Sequence, residues 1–127
     1  MRQKKKISLL VLGSDRNRAF VKTLKALRFD PTFLGSMEAV LHALRHVQAS
    51  AILVDRNGKK ADDLELVLNI RDLDERIPII LIGSPAEGQT ETLLWRQPAT
   101  FLIHKPANDP SLRQELRQFL AAEAPVS

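Results

Sequence analysis

The chain has 127 residues, 44 % of them apolar and 27 % charged, and 19 Lys plus Arg against 15 Asp plus Glu give a formal charge of +4. That is enough chain for one domain with a real core, and it is too apolar for a disordered segment. The absence of cysteine excludes disulfides, thiolate metal sites and thiol catalysis, while the excess of positive charge raises nucleic acid as a partner.

The start, Met1-Arg2-Gln3-Lys4-Lys5-Lys6, has the basic character of a signal-peptide n-region, but the apolar stretch after it is too short for an h-region. No apolar run approaches the roughly 20 residues of a spanning helix. The cytoplasm is the expected location. Ile7 to Leu12 reads as a buried strand stopped by Gly13-Ser14-Asp15. The period then changes, and Phe20, Val21, Leu24 and Leu27 predict a helix from Arg16, with Ser14 or Asp15 as its N-cap. Thr32 to Leu34 is a short candidate strand. Ser36 caps a second helix with Val40, Leu41, Leu44 and Val47 as its stripe. Ala51 to Val54 is a third strand, ending at Asp55, and Arg56 to Lys60 is a polar loop containing Gly58.

A third helix is predicted over Asp62 to Leu73, with Leu64, Val67, Leu68 and Ile70 apolar. Pro78 to Ile82 is a fourth strand, stopped by Gly83-Ser84-Pro85. A less regular helix follows over Thr90 to Arg96, which leaves Trp95 open between the core and an exposed patch. Thr100 to Ile103 is a fifth strand. Asp109 caps a last helix, with Pro110 in its first turn and Leu112, Leu116, Phe119 and Leu120 as its stripe. The domain is expected over 1–122, with 123–127 as a tail or linker start.

Strand and helix alternate five times, and the strands are near-continuous apolar runs, as in parallel strands covered on both faces. The expected architecture is α/β, a doubly wound sheet of five parallel strands. Function in such sheets sits beyond the carboxyl ends of the strands. The segments to weigh are Gly13-Ser14-Asp15, Asp55-Arg56-Asn57, Gly83-Ser84 and His104-Lys105-Pro106. An Asp and a Lys in one crevice can form an ion pair. They can also bind a phosphoryl group, with Asp as nucleophile and Lys as counter-charge.

Ala51-Ile52-Leu53-Val54-Asp55, Arg76-Ile77-Pro78-Ile79-Ile80-Leu81-Ile82 and Lys105-Pro106, in this order and spacing, resemble the response-regulator receiver domain of two-component phosphorelays. The resemblance runs from about Lys5 to Ala121 and implies strand order 2-1-3-4-5. It implies Asp55 as phosphoacceptor, Lys105 as switch lysine, and a Mg²⁺ site of Asp15, Asp55 and the backbone carbonyl of Asn57. It further implies a histidine kinase or phosphotransfer protein as donor, and a downstream protein or fused output domain as target. A homodimer stays open.

The departures from that pattern are as informative. Receivers carry an acidic pair after the first strand, where this chain has Gly13-Ser14, so Mg²⁺ is expected to bind with reduced affinity. They carry Ser or Thr directly after the fourth strand, where this chain has Gly83, so Ser84 can contact a phosphoryl group only if the turn shifts. They place an aromatic three residues before the lysine, but Phe101 lies four before Lys105. Either a bulge sits in that strand or His104 takes the lysine's place, and the intact Lys105-Pro106 pair favours Lys105. An atypical receiver is therefore expected, accepting a phosphoryl group on Asp55 and switching partner binding. The alternative is a phosphorylation-independent pseudo-receiver that works as a protein-interaction module.

No Gly-rich phosphate loop occurs and no Ser-His-Asp set is suggested, so an enzyme in its own right is not expected. His42 and His46, four apart on one helix, have a spacing that can hold a metal, but they read as surface histidines without a third ligand. Arg2, Lys4, Lys5 and Lys6 supply the whole of the +4, and the remaining residues sum to zero. The excess lies before the first strand, which argues against direct nucleic-acid binding.

Overall fold

The computed structural model describes residues 7–57 and 62–123, with side chains through Gln118. The basic start, Gly58 to Lys60 of the expected polar loop, the side chains of Phe119 and Leu120, and residues 124–127 of the expected tail lie outside the described residues. Ten elements alternate in chain order: β1 (Ile7–Leu12), α1 (Arg18–Ala26), β2 (Phe29–Leu34), α2 (Met37–His46), β3 (Ala51–Asp55), α3 (Asp63–Leu73), β4 (Ile79–Ile82), α4 (Thr90–Trp95), β5 (Thr100–Ile103) and α5 (Leu112–Glu123). The strands form one sheet in the order β2-β1-β3-β4-β5, parallel throughout.

The near-continuous apolar strands follow from this layering. Successive side chains point to opposite faces, and both faces are covered. Leu9 and Val11 join Phe20 and Leu24 of α1 and Leu112 and Leu116 of α5 in one core. Leu10 and Leu12 join Val40 of α2, Leu66, Val67 and Ile70 of α3, and Leu94 of α4 in the other. β3, with a neighbour on each side, is buried along its whole length.

Several local expectations are corrected. β2 starts at Phe29 and runs through Pro31, which a strand paired on one side only tolerates. Asn17, not Ser14 or Asp15, caps α1, its side chain accepting from the Phe20 N–H at 3.2 Å. Ser36 does cap α2, through the Ala39 N–H at 3.1 Å. Val47 is the exposed C-cap of α2 rather than part of its stripe. In α3 Leu66 is buried along with the expected Val67 and Ile70, and Leu68 is exposed. Trp95 is 59 % exposed, outside the core. α5 begins at Leu112, because Asp109 holds a turn before it, accepting from the Ser111 N–H at 2.8 Å and the Ser111 hydroxyl at 2.6 Å.

At the amino end of the sheet, Arg71 of α3 ties three segments together. Its guanidinium donates to the carbonyls of Ile77 at 2.7 Å, Ala99 at 3.0 Å and Asp74 at 3.2 Å, just before β4 and β5 begin. Burial holds the Arg71 pKa below its ordinary value, with the Asp74 charge acting the other way. No helix among the described residues is long and apolar enough to cross a membrane.

Candidate functional site

The carboxyl ends of β1, β3, β4 and β5 lie side by side, and between those of β1 and β4 stands Asp55, the last residue of β3 and only 8 % exposed. An apolar strand carries this carboxylate into the crevice, where desolvation is costly unless hydrogen bonds offset it. One such bond is local: Asp55 Oδ1 accepts from the Asn57 N–H at 3.1 Å. From β1 the crevice is closed by backbone. A Cβ on Gly13 would stand 3.2 Å from the Asp55 Cβ. Ser14 is exposed and spends its Oγ on the Arg16 N–H at 3.1 Å, and Asp15 is exposed.

The end of β4 leaves no room for a hydroxyl-bearing side chain. Gly83 follows Ile82 directly, with φ +135° and its N–H donating to the Ile103 carbonyl at 2.9 Å. A Cβ there would lie 2.9 Å from the Arg56 Cβ and 3.0 Å from Asn57 Oδ1. Real Cβ atoms do not approach that closely, and φ in this region itself favours glycine. The turn does not shift, and Ser84 is exposed one place further on.

Arg56 fills the space instead. The sequence places it in a polar loop, yet it is 9 % exposed. Its Nε donates to Asp63 Oδ2 at 2.8 Å, on the first turn of α3. Its two terminal nitrogens donate to both oxygens of Glu91 on α4, at 2.6 and 3.1 Å. This planar fork matched to a carboxylate is the strongest pairing a guanidinium makes. Burial works against the Arg56 charge, but the bonds and charges of Glu91 and Asp63 outweigh it and raise its pKa. Glu91 also accepts from the Ala86 N–H at 3.0 Å and lies 2.7 Å from the His104 Nε2. Burial disfavours its charge too, but Arg56, the Ala86 amide and His104 together hold its carboxyl at about 2, against an ordinary 4.5.

At the end of β5 the chain divides its two basic residues. β4 and β5 pair residue for residue through Ile82 and Ile103, so no bulge sits in the strand. His104, three residues after Phe101, turns to Glu91. Lys105 turns to α5, where its Nζ donates to Ser111 Oγ at 2.8 Å and lies 3.5 Å from Glu115 Oε2. The expected Asp55–Lys105 ion pair is therefore absent among the described residues. Lys105 finds its counter-charge on the helix that follows it.

The donor set for Mg²⁺ is sparse. Asp55 brings one carboxylate, and one of its oxygens is already engaged. Asp15 is exposed on its loop, and among the described residues no three His, Asp or Glu side chains gather to hold a metal. Sequence reasoning anticipates Asp55 and the gaps at Gly13 and Gly83, but misses the Arg56–Asp63–Glu91–His104 network. One local signal was available: Arg56 comes only one residue after the apolar run Ala51 to Val54.

No protein-family model matches the chain, and no curated protein matches it. Solved structures do. The receiver domain of a sensor histidine kinase from Pseudomonas aeruginosa, with a magnesium ion coordinated in its active-site cleft, is 21 % identical with a TM-score of 0.71, over 93 % of this chain and 97 % of that one. A receiver-domain protein from Methanospirillum hungatei is 14 % identical with a TM-score of 0.76, over 94 % and 97 %. A chemotaxis response regulator of Vibrio cholerae is 16 % identical with a TM-score of 0.72, over 90 % and 98 %. The chain thus has the CheY-like receiver fold along nearly its whole length, at identities that speak to architecture alone.

Proposed function

We propose that this receiver-fold chain is a non-enzymatic, phosphorylation-independent interaction module of signal transduction. It forms one domain over 1–122, followed by a short tail or linker start, and acts in the cytoplasm on a protein partner or a fused output domain. The observation that carries this reading is the Arg56 clamp. A residue adjoining Asp55 already neutralises Glu91 and fixes α4, so the loop and helix after β4 are held without an added phosphoryl group. Gly83 supports the same reading, since it offers no hydroxyl to phosphoryl oxygens.

A second reading keeps Asp55 as a phosphoacceptor fed by a histidine kinase or phosphotransfer protein, with Mg²⁺, Lys105 and Ser84 assisting. It is favoured by the buried carboxylate at the end of β3 and by the magnesium-bearing cleft of the Pseudomonas receiver domain. Under it Lys105 must leave Ser111 and Glu115 to reach the site. Incubation with acetyl phosphate and Mg²⁺, followed by intact-mass measurement, separates the two. The first reading expects no adduct under conditions that label an ordinary receiver. A single phosphoryl adduct that disappears in Asp55→Asn establishes the second.

A further inference from the structure

Helix α2 carries two histidines one turn apart, outside the site described above. The imidazoles of His42 and His46 stand with their centroids 4.4 Å apart and their planes at 47°. Both are exposed, on the side of the helix away from buried Val40. Side chains at i and i+4 share one helix face, and α2 is a fixed platform for them. Ser36 caps its start, and Val40 anchors it in the core under the sheet.

We propose that His42 and His46 form a surface chelate for one borderline divalent transition-metal ion. Such ions take imidazole nitrogen at about 2.0–2.1 Å, so both rings must reach one point, and rings already in contact need only rotate about their side-chain torsions. Two neutral nitrogen donors, with water completing the shell, suit Cu²⁺, Ni²⁺ or Zn²⁺ and not Mg²⁺, which demands oxygen. Among the described residues no third His, Asp or Glu joins them. The site therefore has two protein ligands, and its affinity order follows the general one, with Cu²⁺ the tightest. It is independent of any role of Asp55.

The test is calorimetric titration of the untagged full chain with the chlorides of Cu²⁺, Ni²⁺, Zn²⁺ and Mg²⁺ in a non-coordinating buffer. The expected result is one transition-metal ion per chain, no binding of Mg²⁺ there, and loss of the site in His42→Ala and in His46→Ala. Both substitutions fall at exposed helical positions, and unchanged far-ultraviolet circular dichroism checks that the fold persists. A thermal scan adds a second readout, because an ion that needs the formed helix raises the melting temperature of the wild type and not of the variants. Undiminished binding in the double variant, or no saturable binding by the wild type, overturns the proposal.

Discussion

Arg56 enters the interior with its compensation already arranged. Each of its three donor nitrogens meets a carboxylate oxygen, at 2.6 to 3.1 Å. Removing one member of such a set leaves buried charge behind, which costs more than the set contributes over an apolar replacement. Arg56→Ala is therefore expected to lose about 3 kcal/mol of unfolding free energy, measured by urea denaturation. A paired Arg56→Met and Glu91→Leu change should recover the part of that loss that comes from the stranded Glu91 charge, leaving the part due to Asp63. Glu91 also sets an acid limit. Its carboxyl is held at about 2 against an ordinary 4.5, so the folded state binds this proton less readily than the unfolded chain. The stability it contributes is present above the ordinary value and is lost as pH falls from about 4.5 toward 2. Glu91→Gln should remove that share of the acid slope, read as the urea midpoint against pH.

Helix α1 shows how the choice of cap depends on geometry. Ser14, Asp15 and Asn17 are all good capping types within four residues. What selects among them is where the chain leaves the Gly13 turn, and that turn sends Ser14 to the Arg16 N–H, leaving Asn17 to reach the Phe20 N–H. Asn17→Ala should cost about 1 kcal/mol, whereas Asp15→Ala should stay within about 0.5 kcal/mol, as for an ordinary surface position. Thermal unfolding of the two variants side by side checks this. The same dependence on context explains α3, where Leu64, Leu66, Val67 and Leu68 are interchangeable in hydropathy and only packing against α2 and α4 buries Leu66 while exposing Leu68.

Across the whole molecule, the alternation of strands with helices is legible in sequence because both faces of the sheet are covered, so burial leaves its mark on every residue of β3 and β4 and on the last four of β1, while edge strand β2, with exposed Asp30 and Thr32, is the one only half read. The clamp is not legible, because it joins residues 7, 13 and 35 positions apart. Charged side chains in such segments read as solvated until the fold brings them together. The net charge hides a similar sorting. α1 carries Arg18, Lys22 and Lys25 and no acid, while α3, on the opposite face, sets Asp63, Glu65 and Asp72 against Arg71. Arg71 has a kinetic consequence. Its bond to Ala99 spans 28 positions and joins α3 to the residue before β5, so it is expected to form late on the folding route. Arg71→Met also removes the local bonds to Asp74 and Ile77, so it is expected to speed unfolding more than it slows refolding. Stopped-flow chevrons of the two proteins measure it: the unfolding arms should separate more widely than the folding arms.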